Sequence, residues 1–246
     1  MIILALDTSG PVAGVALMRD GALVYEANLN HDKTHSQKLM PMVEQALANA
    51  DLTLAQVDRI AAGMGPGSFT GVRIAVATAR ALGHARGIPV CGVDTLTLLA
   101  LNLPETPGLI LPLLDARRAQ VYAAAFTYEQ GRLRALLPPK AQALEAVLEA
   151  AEGLDASGPV YLLGDGVAPN RQMLRERLGE RARFVPAHLA LQRAGSVAYA
   201  AAMGYGREGD FTELIPEYRR PSQAERMRQR KLAQPGGEPT QREAGT

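Results

Sequence analysis

Tryptophan is absent from the 246 residues, and aromatic residues make up only 4% of them. An aromatic platform on which single-stranded nucleic acid could stack is therefore not expected. The one cysteine, Cys91, excludes an intramolecular disulfide framework and a cysteine-rich zinc site. No apolar stretch reaches the roughly 18 residues that cross a bilayer, and no basic n-region with an apolar core opens the chain. A cytoplasmic protein with no membrane partner is the expectation. Charge of one sign is missing too. Lys and Arg number 26 against 25 Asp and Glu, a net of +1, which excludes a protein that coats nucleic acid with its whole surface.

The charge present is unevenly placed. Residues 219–246 hold seven basic and three acidic residues, which leaves 19 basic and 22 acidic in the rest. The last stretch has Pro and Gly and no apolar cluster. Residues 221–246 read as a basic, disordered tail. It either solubilises the chain or touches RNA or an acidic partner.

Before the tail the hydrophobic pattern runs twice through one order. Apolar runs at 2–6 and 12–18, a turn at Asp20-Gly21 and a returning run at 22–27 predict three strands. A helix over about 36–50, a strand at 60–64, a glycine-rich loop and a helix over about 70–85 follow. Residues 90–93 and 95–103 read as a strand and a short helix. The order restarts with runs at 109–114, 120–127 and 132–137, a helix near 143–151, a strand at 160–163, Gly164-Asp165-Gly166, and a helix near 169–178. The expectation is an α/β fold of duplicated βββαβα units in two subdomains, 1–105 and 106–220. Each first strand ends on an Asp, at Asp7 and Asp115. That is the layout of the actin-like and sugar-kinase-like (ASKHA) ATPases, in which two such turns face a cleft for phosphate and metal. An ATP-dependent kinase or ATPase acting alone is therefore one reading, although fold does not fix function.

The most informative segment is Gly63-Met64-Gly65-Pro66-Gly67-Ser68-Phe69-Thr70-Gly71-Val72-Arg73. Glycines between a strand and a helix start allow close backbone approach, and free N–H groups there suit an anion. Gly65, Gly67, Ser68, Thr70 and Gly71 are the candidate loop residues. The segment is neither a Walker A loop nor a nucleophile elbow. Tight packing against a neighbouring element explains it equally well. Asp7, Thr8 and Ser9 could orient a metal-bound water and touch phosphate, or satisfy turn donors. In Asp115-Ala116-Arg117-Arg118 the arginines compete with a cation for the carboxylate, so a structural or interface role is expected. His31 and His35 have helix-face spacing but no third ligand, and His84 and His188 stand at no useful spacing. No metal is expected.

Together these residues carry a resemblance. Ala5-Leu6-Asp7-Thr8-Ser9, His35-Ser36 before Leu39-Met40-Pro41, Gly65 through Ile74, Asp115 through Arg118 with Val121-Tyr122, and Glu217-Tyr218-Arg219-Arg220 resemble the TsaB (YeaZ) family. The likeness covers about residues 1–220. It implies an actin-like fold and a part in making N6-threonylcarbamoyladenosine at position 37 of tRNAs that read ANN codons. The family's catalytic sister, TsaD, carries His-His-x-x-x-His just after the strand that here is 90–93. This chain has Asp94-Thr95-Leu96-Thr97-Leu98-Leu99 there. The resemblance thus implies a non-catalytic subunit with no cofactor, save a weak nucleotide at a subunit interface. Its implied partners are TsaD, the ATPase TsaE, tRNA through the complex, and a second copy when alone.

The helix over 70–85 is apolar on more than one face, so it needs two burial partners. One is its own sheet; the other is expected to be a second protein. His35, Leu39, Val43, Phe69, Val72, Val76 and Ala79 are the candidate interface residues. Asp7, Thr8, Asp115 and Arg117 mark a vestigial cleft.

Overall fold

The computed structural model describes residues 1–30, 35–154 and 157–217. The expectations for His31, for residues 218–220 and for the 221–246 tail lie outside these residues. The first half runs β1 (Ile2–Asp7), β2 (Val12–Arg19), β3 (Ala22–Asn30), α1 (His35–Asn49), β4 (Arg59–Gly63), α2 (Phe69–Arg86), β5 (Val90–Val93) and α3 (Thr95–Ala100). The second runs β6 (Leu109–Asp115), β7 (Gln120–Glu129), β8 (Arg132–Ala143), α4 (Leu144–Leu154), β9 (Val160–Leu163), α5 (Arg171–Leu178) and β10 (Ala182–Phe184). α6 (Ala194–Ala202) and β11 (Arg207–Gly209) end the described chain.

The sheet orders are β3-β2-β1-β4-β5-β11 and β8-β7-β6-β9-β10. Stripped of β11, they are the same order, which is the duplicated actin-like unit. Local chemistry matches as well. Asp20-Gly21 and Gln130-Gly131 turn with φ of 49° and 83°, and of 51° and 74°. Positive φ at both central residues is the two-residue turn that suits strand twist. α2 starts where the Ser68 hydroxyl accepts from Gly71 N at 3.2 Å and stops at left-handed Gly87, as caps dictate.

Successive side chains of the central strands point to opposite faces, both of them buried, and so build five layers. Leu4 and Leu6 face α1 and α2, while Ile3 and Ala5 face α6 and Leu98 of α3. In the second sheet Leu109, Leu111 and Leu113 face α4 and α5, while Ile110 and Leu114 face Leu96 and Leu99 of α3. α3 thus packs on both sheets. Each leucine buried this way stabilises by roughly 1.5–3 kcal/mol.

One expectation changes. The second half, 106–220, does not keep to itself, because α6 packs on β1 and β2 and β11 pairs with β5. Tertiary caps cause the return. Glu26 Oε1 accepts from Gly195 N at 2.9 Å, Asn28 Oδ1 accepts from Ala194 N at 3.0 Å, and Arg193 lies 2.5 Å from Glu26. The first turn of α6 therefore takes its partners from β3. Burial pushes the Glu26 carboxyl up, but bonds from Arg193, Asn28 and Gly195 outweigh it and hold the pKa below the usual value. A depressed carboxylate contributes stability above its unfolded pKa and loses it as pH falls through the folded one. Glu26→Gln should therefore cost about 1.5–3 kcal/mol at pH 7. Urea unfolding of both proteins should show the gap closing towards pH 4; a gap of constant size would remove Glu26 from this role.

Candidate functional site

At the end of β1 the side chains of Asp7, Thr8 and Ser9 are buried, and the glycine loop lies directly on them. The Thr8 hydroxyl donates to Gly71 O at 2.6 Å, and Ser68 N donates to Ser9 O at 2.7 Å. A Cβ at Gly71 would fall 1.9 Å from Thr8 O, and one at Gly67 2.1 Å from Ser9 O. Neither distance is physically possible, so only glycine fits. Gly65 O accepts from Thr95 N at 2.8 Å, and Met64 O accepts from Glu217 N at 2.7 Å. Gly67 and Gly71 thus serve contact with the chain's own backbone.

Asp7 Oδ1 accepts from Ser9 N at 2.6 Å, while Oδ2 has no hydrogen-bond partner among the described residues. Burial pushes this carboxyl up, against Ser9 and the charge of nearby His35. A buried carboxyl with one idle oxygen favours the neutral acid. His35, one of the candidate interface residues, is half-buried, and its Nε2 lies 3.0 Å from Gly10 O. Gln192 completes the cluster. Its amide lies over Gly10, where a Cβ would meet it at 2.4 Å.

The matching turn of the second half is built differently. Asp115 is exposed, and its carboxylate accepts from Arg117 N at 2.7 Å and pairs with Arg117 Nη1 at 3.3 Å. Asp115 N donates to Asp165 Oδ1 at 3.0 Å. Burial, with the neighbouring Asp115 charge, pushes Asp165 up. Asp165 was legible only as the middle of a Gly-Asp-Gly loop. Arg117, Arg118 and Ala119 all have left-handed φ, 63°, 57° and 53°. Each costs roughly 1–2 kcal/mol without glycine. Among the described residues no group of three His, Cys, Asp or Glu could hold a metal ion. At the end of β5, Asp94 caps α3, its Oδ1 accepting from Leu96 N at 3.0 Å and Thr97 N at 3.1 Å.

The candidate interface set needs correction. Leu39, Val43, Val72, Val76 and Ala79 are each at most 2% exposed and belong to the core under the first sheet. The small residues Gly71, Ala75, Ala79 and Gly83 of α2 are buried too, and bring that helix close to its own sheet. The outward face is a different stripe: Phe69, Thr70, Arg73, Ala77 and Ala81 of α2, beside Met40, Pro41 and Glu44 of α1. Phe69 is 37% and Met40 39% exposed. The Arg73 guanidinium lies 3.8 Å over the Phe69 ring. Of the candidate interface residues only Phe69 stands on this face, together with the loop candidate Thr70, while His35 is half-buried at the start of α1.

Known proteins share this architecture. Residues 29–225 match the family model described as TsaD: tRNA N6-adenosine threonylcarbamoyltransferase. The chain is 35% identical over 226 residues to the tRNA threonylcarbamoyladenosine biosynthesis protein TsaB of Bacillus subtilis (strain 168), covering 92% of this chain and 96% of that protein. With the protein of the same name from Escherichia coli (strain K12) it shares 36% identity over 132 residues, 53% of this chain and 57% of that one. The solved structure of YeaZ from Pseudomonas aeruginosa superposes with a TM-score of 0.72 at 31% identity, over 88% of this chain and 99% of that one. A full-length relative, a matching solved fold and the duplicated sheets agree, and the chain belongs to the TsaB (YeaZ) family.

Proposed function

We propose that this chain works in tRNA threonylcarbamoyladenosine biosynthesis as a non-catalytic scaffold. It pairs with TsaD and, with TsaE, supports formation of N6-threonylcarbamoyladenosine at position 37 of tRNAs reading ANN codons. The observation that carries this reading is the end of β5. The metal-binding histidines of the catalytic sister follow that strand; here the place holds Asp94, used as a helix cap. The closed glycine loop supports it further, since Gly67 and Gly71 touch backbone where a phosphate cradle needs space. On this reading a nucleotide belongs at most at an interface between subunits. Reconstitution tests it: TsaD and TsaE with this chain, supplied with a threonylcarbamoyl donor, should modify tRNA, and omission of this chain should abolish it. Turnover by the purified chain alone would sink the scaffold role.

Pairing is assigned to the outward face of α1 and α2, which also offers the surface for self-association. An aromatic ring under an arginine, on a helix face that also exposes Ala77 and Ala81, has the composition of an interface centre. The double substitution Phe69→Asp, Ala77→Glu should keep the circular dichroism of the wild type and lose co-elution with TsaD, and modification with it. Val76→Glu should instead unfold the chain, because Val76 is 2% exposed and an unpaired buried charge costs several kcal/mol. Co-elution by the folded double variant would move the interface elsewhere.

Asp7 separates the scaffold from a kinase. Asp7→Asn keeps shape and removes the ionisable proton, so modification by the complex should stay within a few-fold. A carboxyl whose folded pKa is raised loses stability as pH climbs through that value. The variant should therefore gain on the wild type from pH 4 to pH 7. Loss of modification by a folded, TsaD-bound Asp7→Asn chain would restore a catalytic Asp7.

A further inference from the structure

Arginines outside the pairing face gather at one edge of the second sheet. β6, β9 and β10 run parallel, so their C-terminal ends share that edge. The turn after β6 presents Arg117 and Arg118 there, α5 opens with Arg171 and carries Arg175 one turn on, and Phe184 ends β10. The Arg171 guanidinium lies 3.9 Å from the Phe184 ring centroid and that of Arg175 5.7 Å. Two like charges thus share one ring. Among the described residues no carboxylate lies within ion-pair distance of either, whereas Arg177 on the same helix is paired with Glu152. Glu176 accepts from the Gln172 amide instead. Arg117 has Asp115 beside it, yet its side chain is 87% exposed. Arg118 is exposed, on the left-handed turn that projects it.

Like charges held side by side weaken a fold, so this arrangement calls for an anion from outside. Planar guanidinium forks stacked on a ring are pre-organised for bidentate contact with phosphate oxygens. A protein partner fits poorly, since the exposed large apolar side chains, such as Met40, Phe69, Tyr199, Met203 and Ile215, all lie on other elements. Protein interfaces centre on such groups; interfaces with nucleic acid are polar and positively charged. We propose that Arg117, Arg118, Arg171 and Arg175 bind the phosphodiester backbone of tRNA, so that this chain touches the tRNA directly. The proposal rests on the reading that the chain serves tRNA modification.

The test uses the full chain and a labelled, unmodified tRNA transcript, with affinity read by anisotropy across a salt series. Wild-type affinity should fall with salt. Arg171→Gln with Arg175→Gln, and separately Arg117→Gln with Arg118→Gln, should each flatten the log–log slope by about 1 to 2 and weaken low-salt binding roughly tenfold. Arg171→Lys with Arg175→Lys should keep the slope. If the α5 pair fails to fold, the exposed Arg117 and Arg118 pair still decides. An unchanged slope in folded variants overturns the proposal. So does displacement by poly-glutamate as effective as by unlabelled tRNA, which indicates an acidic protein, or displacement by ATP with magnesium at equal phosphate, which indicates a nucleotide. Co-elution with TsaD is measured on the same variants. Failure of the wild-type chain to co-elute with TsaD sinks the scaffold role whatever the slopes show, whereas wild-type pairing with an unchanged slope in the variants sinks this edge alone.

Discussion

Between Gly63 and Gly71 the chain comes into backbone contact with the end of its own first strand. Ser68 N donates to Ser9 O and the Thr8 hydroxyl to Gly71 O, with no room for a Cβ at either glycine. That contact sets where α2 begins, and a helix fixed at its start has no freedom in which face it turns inward. Val72, Ala75, Val76 and Ala79 then face the sheet, and Phe69, Arg73 and Ala77 face out. One constraint therefore fills the place of a phosphate cradle and leaves the stripe assigned to pairing.

The same economy holds in the middle of the molecule. α3 is six residues long, yet it packs Leu98 on the first sheet and Leu96 and Leu99 on the second. Asn102, just beyond it, donates to Leu189 O and Leu191 O at 2.9 and 2.8 Å and accepts from the Ser196 hydroxyl at 2.6 Å. The chain entering α6 is thereby tied to the helix that both sheets share. A buried polar residue with every partner satisfied specifies geometry more than it adds stability. Here it joins the two halves to one middle layer.

What the sequence disclosed was what local chemistry decides. The Asp20-Gly21 turn, the ends of α2 and the repeat order were legible, because Gly, Asp and Ser at those places have few other uses. β10, α6 and β11 were not. Two are three-residue strands, too short for alternation to register. α6 is Ala-Gly-Ser-Val-Ala-Tyr-Ala-Ala-Ala, apolar all round, and its N-terminal partners sit on β3, more than 160 residues earlier. The pairing face failed for the same reason. In an alanine-rich helix Ala75 and Ala79 read like Ala77 and Ala81, and only the glycine contact at its start tells the buried pair from the exposed one. The Arg171 and Arg175 edge escaped because its organiser, Phe184, belongs to a strand the pattern did not show.

On the proposed reading the segment after β5 is where this chain departs from the catalytic sister, and that segment has a structural role of its own. Asp94 accepts from two backbone N–H groups at the start of α3, and Thr95 N donates to Gly65 O, so the segment is tied to the helix and the glycine loop together. Losing an N-cap of this kind costs about 0.5–2 kcal/mol, and more is at stake when the capped helix is the layer between two sheets. A side chain engaged by two backbone donors is not free to point into a cleft and bind a metal. On the proposed reading, then, the place given up by the metal centre was put to use in the scaffold. A cap, a closed loop and a shared helix make the chain stiff there, and stiffness is what holds the pairing stripe and the arginine edge in fixed positions.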